Sequence, residues 1–386
     1  MPSSFERVST CNSRTRKGEA LRLLIQPGDG VLPIVKGINS AKRSVEIVIF
    51  RFDQREVEKA LANAVSRGVK VHALIAHTNR AGEESLRKLE MRLLAAGVTV
   101  ARTADDLVRY HNKLMIVDRN ELYLLAFNFT HLDIEHSRSF AIITKNRDAV
   151  RSAVKLFDAD VKRTPYEPDY DLFLVSPVNA RQGLVKMIEA AKKQLLIYDP
   201  QVGDPAMMRL LEARAKAGVE IRIIGKVTRK MAGVESRKLT PFRLHTRSIV
   251  RDGKFAFIGS QSLRALELDG RRESGLVFRD PKVVASLMKT FEADWKASDQ
   301  PVKEEDVEPV AKVAKRVAKA VTKELPPVSD VLEGAMKELM GSSGDLDVTA
   351  EELDGVVKDA VKAAVQEAVK NMVEEAVEQN GNGGGK

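Results

Sequence analysis

The chain of 386 residues is poor in cysteine, in aromatic residues and in long apolar runs, and each shortage removes a class of protein. Its single cysteine, Cys11, excludes a disulfide framework within the chain and any zinc site built on several thiolates. Aromatic residues make up 5%, so a surface that stacks successive bases has little to be built from. The longest apolar stretches, such as residues 45–50, are far too short to cross a bilayer. The first residues, MPSSFERVSTCNSRTRKGEALRLL, hold no apolar run between their charges and do not read as a secretory signal. The expected location is cytoplasmic, with peripheral contact to the inner face of the membrane left open. Glycine and proline, at 24 and 14 residues, are near average, which argues against a collagenous or wholly disordered chain.

What is present is charge, unevenly distributed. Residues 301–386 hold 11 basic and 18 acidic side chains, net −7, which leaves 52 basic and 36 acidic, net +16, in residues 1–300. A basic body favours an anionic partner: nucleic acid, anionic lipid or a phosphorylated small molecule. Charge alone does not choose among them.

A repeat organises the body. Residues 41–75 read AKRSVEIVIFRFDQREVEKALANAVSRGVKVHALI, and residues 191–224 read AKKQLLIYDPQVGDPAMMRLLEARAKAGVEIRII. Each has a basic Ala-Lys start, an apolar strand-like run, a helix with apolar residues at three- and four-residue spacing, a glycine and a second strand. That order predicts a parallel βαβ crossover. Gly68 and Gly218 lie 150 residues apart, as do Ala41 and Ala191. Downstream, His111, Lys113 and Asp118 in YHNKLMIVDRNELYLLAFNF match His245, Arg247 and Asp252 in LHTRSIVRDGKFAFIGSQSL. The chain is an α/β unit, duplicated.

Strand alternation is expected to place His111, Lys113 and Met115 on one face, and His245 and Arg247 likewise. A cation beside an imidazole suits phosphate: the cation neutralises phosphoryl oxygens while the imidazole attacks phosphorus or protonates a leaving oxygen. A covalent route at phosphorus needs both a nucleophile and a general acid. Duplication supplies the second imidazole, and halves packed about a pseudo-twofold axis would bring the two face to face.

These motifs resemble the phospholipase D superfamily, whose signature is HxKxxxxD, then Gly-Ser or Gly-Thr, then Asn, and further on Glu. The resemblance spans roughly residues 20–300. Copy one keeps His111, Lys113, Asp118 and Asn128, with Leu125-Ala126 in place of Gly-Ser and Ser139 at the acidic position. Copy two keeps His245, Asp252, Gly259, Ser260 and Glu273, with Arg247 for Lys and Ser262 for Asn.

The resemblance implies two tandem phospholipase D-like α/β sandwich repeats about a pseudo-twofold axis, residues 20–165 and 166–300. A disordered segment, 1–19, precedes them and an acidic, partly helical C-terminal tail, 301–386, follows. It implies a phosphodiesterase or phosphatidyltransferase acting on phospholipids through a phosphohistidine, with no cofactor and no metal. His111 is then the nucleophile and His245 the acid; Lys113, Asn128, Arg247, Ser260 and Glu273 complete the catalytic set. Asp118 and Asp252 hold local structure. Glu273 serves one histidine, and Asp133 or Glu135 is the stand-in for the other. The alternatives are a nuclease of the same superfamily, fitting the net charge of the body, and a binding or scaffold protein with a decayed site, fitting the motif losses.

Other features carry blander expectations. His131 and His136 read as polar loop residues. Trp295, at helical spacing from Phe291, reads as core, and Asp29-Gly30 as a turn before a helix. Ser260 lacks a GxSxG context, which argues against a serine hydrolase. In the tail, Val310, Val313, Val317 and Val321 form one helical stripe, and Val357, Val361, Val365, Ala368 and Met372 another, with a capping box at residues 349–352. The first could lie on an anionic membrane or serve as a solvated or oligomerisation helix.

Overall fold

The computed structural model describes residues 21–77 and 82–298. The N-terminal segment and the tail stripes lie outside the described residues. In the first half the chain runs β1 (Arg22–Gln26), α1 (Leu32–Ser40), β2 (Ser44–Ile49), α2 (Arg55–Ser66), β3 (Lys70–Ile75), α3 (Gly82–Ala95), β4 (Thr99–Arg102), β5 (Arg109–Tyr110), β6 (Leu114–Val117), β7 (Glu121–Leu125), α4 (His131–Glu135), β8 (Ser137–Thr144) and α5 (Arg147–Lys162). The second half runs β9 (Phe173–Ser176), α6 (Ala180–Glu189), β10 (Gln194–Val202), α7 (Pro205–Lys216), β11 (Glu220–Val227), β12 (Val234–Arg237), β13 (Arg243–Leu244), β14 (Arg247–Arg251), β15 (Phe255–Gly259), α8 (Ala265–Asp269), β16 (Arg271–Phe278) and α9 (Pro281–Ala297).

Both halves build a mixed sheet in one order. The first reads β1-β8-β7-β6-β2-β3-β4 and the second β9-β16-β15-β14-β10-β11-β12. The βαβ expectation holds in each: β2 pairs parallel to β3, and β10 to β11. The halves differ at α3, since the second joins β11 to β12 by a short loop. The spacing of equivalent residues therefore drops from 150 at Gly68 and Gly218 to 134 at His111 and His245.

Alternation along the strands sorts three cores. One face of each sheet, through Leu114, Ile116, Leu124 and Phe140 in the first and Leu196, Tyr198, Ile258 and Leu276 in the second, joins a shared core with α5 and α9. The opposite faces pack under α1–α3 in the first half and α6–α7 in the second. Trp295 belongs to the shared core, stacked on Phe291 at 5.6 Å. Among the described residues no helix is long and apolar enough to cross a membrane.

Two short strands cross between the halves. β5 pairs parallel to β16 of the second sheet, and β13 pairs parallel to β8 of the first. Behind this exchange, Arg138 of β8 grips Asp294 of α9 through two hydrogen bonds, 2.7 and 2.9 Å. Arg272 of β16 lies 3.1 Å from Asp160 of α5. Burial pushes the Asp160 carboxyl up to about 7, against the pull of Arg272.

Candidate active site

Each histidine follows directly on an exchanged strand. Residues 111–113 therefore do not continue strand β6 as alternation suggested: they bridge from the other half's sheet back to their own. The backbone N–H of His111 donates to the carbonyl of Arg272 at 2.8 Å, and that of His245 to the carbonyl of Arg138 at 3.1 Å. The expected meeting of imidazole and cation still occurs. Lys113 Nζ stands 2.7 Å from His111 Nε2 and donates to the His111 carbonyl at 2.8 Å. Arg247 donates to the His245 carbonyl at 3.0 Å, the same contact made by the other cation.

Crossing between halves also delivers a carboxylate. Glu273, next to Arg272 on β16, receives His111 Nδ1 at 2.9 and 3.0 Å from its two oxygens. This bond fixes the tautomer with hydrogen on Nδ1 and leaves the Nε2 lone pair free to accept. The Phe50 ring meets the imidazole edge-on at 4.4 Å and restrains its rotation. Ser260 lies behind Glu273 and hydrogen-bonds it.

The second histidine has different company. Ser139 occupies the β8 position matching Glu273, and its hydroxyl is buried with no hydrogen-bond partner among the described residues. Asp133 of α4 places Oδ2 3.3 Å from His245 Nε2. The same oxygen accepts from the Asn128 backbone N–H at 2.8 Å and its side-chain amide at 2.7 Å, while Oδ1 accepts from Arg243 at 2.7 Å. Glu135, the other proposed stand-in, does not reach the site: it bonds His131 on the surface at 2.9 Å, and His136 is exposed. In copy two, Ser262 accepts from Arg247 Nε at 3.0 Å, and Glu267 stands 3.7 Å from the same guanidinium.

Burial sets the electrostatics. It pushes both histidines well below their ordinary range; Lys113 and Arg247 add to this at His111, while at His245 Asp133 opposes it. Both imidazoles are neutral near pH 7. Lys113 is fully buried, and desolvation lowers its ammonium to about 7 despite the pull of Glu273. Burial raises Glu273, with Lys113 and Arg247 opposing. Each histidine feels the other copy's cation, so the two motifs share one electrostatic centre.

Asp118 and Asp252 stand apart. Asp118 accepts backbone N–H groups of Lys42, Arg43 and Ser44, and Asp252 those of Lys192, Lys193 and Gln194. The missing Gly-Ser of copy one has a packing reason. Gly259 faces Gly275, where the Phe257 ring leaves no room for a Cβ; the equivalent Leu125 faces Ala141, and Tyr123 leans on Gly37 instead.

Residue-type reasoning overlooked Glu267 and the arginine–aspartate pairs. The offset of 134 set by the histidines would have exposed them, since it relates Asp133 to Glu267, Arg138 to Arg272 and Asp160 to Asp294.

Known proteins agree with this architecture. The chain matches the family described as cardiolipin synthase, PLD-like domain, over residues 34–161 and 184–295. Cardiolipin synthase A of Proteus mirabilis is 22% identical over 309 residues, covering 64% of this chain and 63% of that protein. The chain thus spans somewhat under two thirds of that relative. Among solved structures, polyphosphate kinase from Porphyromonas gingivalis superposes with a TM-score of 0.62 at 18% identity, covering 75% of this chain and 53% of the other. Phosphatidylserine synthase from Haemophilus influenzae gives 0.58 at 11%, covering 78% and 93%. These two likenesses are of fold. With both matched stretches, one in each half and each carrying a histidine–cation motif, the chain belongs to the phospholipase D-like family of the cardiolipin synthase type.

Proposed function

We propose that this protein is a phosphodiesterase or phosphatidyltransferase acting on phospholipids, working through a phosphohistidine on His111 with His245 as general acid and base. The observation that carries the assignment is the bond from His111 Nδ1 to Glu273, 2.9 Å, supplied across the halves. A carboxylate there raises the basicity of Nε2 and stabilises the ring as it gains positive charge. Nε2 attacks phosphorus, the bond to the leaving alcohol breaks, and that oxygen takes a proton from the His245 imidazolium. His245 then takes a proton from water or an acceptor alcohol, whose oxygen attacks phosphorus and returns the P–N electron pair to His111.

Lys113 and Arg247 neutralise the phosphoryl oxygens. Asn128, whose side-chain amide donates to Asp133 and whose buried side-chain oxygen has no hydrogen-bond partner among the described residues, lines the same centre. Ser260 acts through Glu273. An arriving phosphodiester adds the negative charge that lets His245 hold its proton, since burial and three cations keep the ring neutral without it.

The test is product analysis by mass spectrometry. The protein is incubated with phosphatidylglycerol and phosphatidylethanolamine vesicles in chelator, beside His111→Ala and His245→Ala. Phosphatidic acid, or cardiolipin with released glycerol, lost in both variants, is the expected result and separates hydrolysis from transfer. Folded protein that yields no lipid product but shortens nucleic acid would overturn the lipid reading in favour of a nuclease. Inactivity on both would leave a binding protein.

A further inference from the structure

The two histidines sit in matching backbone frames with unlike partners. His111 meets a carboxylate from the neighbouring strand through Nδ1. His245 has Ser139 at that strand position, too short to bridge to the ring. Its Nε2 is buried without a well-aligned hydrogen bond among the described residues, and Asp133 Oδ2 stands 3.3 Å from it. Asp133 is 2% exposed and tethered three ways, by the backbone and side chain of Asn128 and by Arg243. Its counterpart Glu267 faces Arg247 instead.

We infer that Asp133 is the positioning residue of His245, engaging it through Nε2, so that the two imidazoles of one site work in opposite orientations. His111 presents Nε2 to phosphorus, and His245 presents Nδ1 to the oxygen that leaves or enters. None of the other described groups that act most strongly on His245 fits the role. Arg243, Arg247 and Lys113 are cations that disfavour the imidazolium, and the Arg138 carbonyl is taken by the His245 backbone N–H. Asp133 remains ionised at neutral pH: burial opposes this, but His245, Arg243 and the Asn128 amides together outweigh it. The proton transfer assigned to His245 rests on the phosphohistidine reading; the pairing of Asp133 with Nε2 does not.

The experiment therefore begins without substrate. Long-range proton–nitrogen correlation spectra of the histidine-labelled full chain at pH 7 should show His111 as the Nδ1–H tautomer and His245 as the Nε2–H tautomer. His245 found as Nδ1–H would overturn the inference whether or not the protein turns over lipid. In Asp133→Asn the His245 titration should fall by about one unit or more, as expected for loss of an opposite charge at this range, while His111 holds its value. Equal movement of both histidines, or of neither, would mark Asp133 as merely structural.

If lipid turnover is established, Asp133→Asn should lower kcat at least tenfold and shift its alkaline limb to lower pH, with KM little changed. Ser139→Glu in that background should not restore kcat, because a carboxylate at the strand position of Glu273 meets the imidazole through Nδ1, the atom assigned to the reacting oxygen. A fall in KM affinity with no change in the pH profile would count against the inference.

Discussion

Lys113 and Arg247 occupy matching places with different chemistry. An ammonium gives up its proton when desolvated, and burial brings Lys113 to about 7. A guanidinium keeps its charge. In the proposed mechanism the Lys113 cation neutralises phosphoryl oxygens; that cation is present below about pH 7 and lost above it. The expected outcome is a kcat/KM on phosphodiester that falls as pH rises through about 7. Lys113→Arg should move that limb upward by more than one unit, even where the altered geometry lowers the maximum. A pH profile identical in the two proteins would show that Lys113 is not the titrating group.

At the scale of elements, the Asp118 and Asp252 turns hold the frame while the chemistry lies elsewhere. Both residues take a left-handed backbone, φ 54° and 53°, which lets each carboxylate fold back over three amides of the helix-to-strand connection. Burial pushes the Asp118 carboxyl up, but the amides of Ser44, Arg43 and Lys42 outweigh it and hold it below the usual range. A depressed carboxyl contributes its stability at pH above its unfolded value, and that contribution is lost as pH falls through the folded value. Asp118→Ala should therefore cost about 1–2 kcal/mol at pH 7, from lost hydrogen bonds and a left-handed alanine. The cost should shrink on acidification, and KM should not move. Urea denaturation at pH 7 and pH 3.5 measures the first two; a large loss of turnover with unchanged stability would contradict this structural role.

At the scale of the whole molecule, the site exists only because the halves trade strands. Each half leaves one face of its sheet to the shared core, and each histidine hangs its backbone on a carbonyl of the other half. Those carbonyls belong to Arg138 and Arg272, the arginines that reach Asp294 and Asp160. The interface pairs are thus tied to the strands that aim the histidines. Removing one partner strands a buried charge, so Arg138→Met should destabilise by about 3–5 kcal/mol. Arg138→Met combined with Asp294→Leu should recover part of that loss, as apolar groups replace both charges while the buried Tyr198 hydroxyl, which donates to Asp294 at 2.7 Å, loses its acceptor. Denaturant midpoints of the two single variants and the double test this. A double variant as unstable as the sum of the singles would mean that the pair is not the linking element.

Much of this was legible without coordinates. Hydrophobic periodicity and the glycine punctuation predict both βαβ units, and matched spacing pairs His111 with His245 and Lys113 with Arg247, because these signals are local or repeat along the chain. The site's asymmetry was not legible. Glu273 lies 162 residues from the histidine it holds, on the opposite copy of the motif. Asp133 and Glu135 are two residues apart, yet only the first turns inward on α4 toward His245. Even the expectation of an unbroken strand through His111 failed at the strand exchange, which no local pattern encodes. Spacing along the sequence determined which residues are equivalent. Docking of two similar halves about a pseudo-twofold axis decided which residues touch, because contacts across that axis depend on how whole sheets pack.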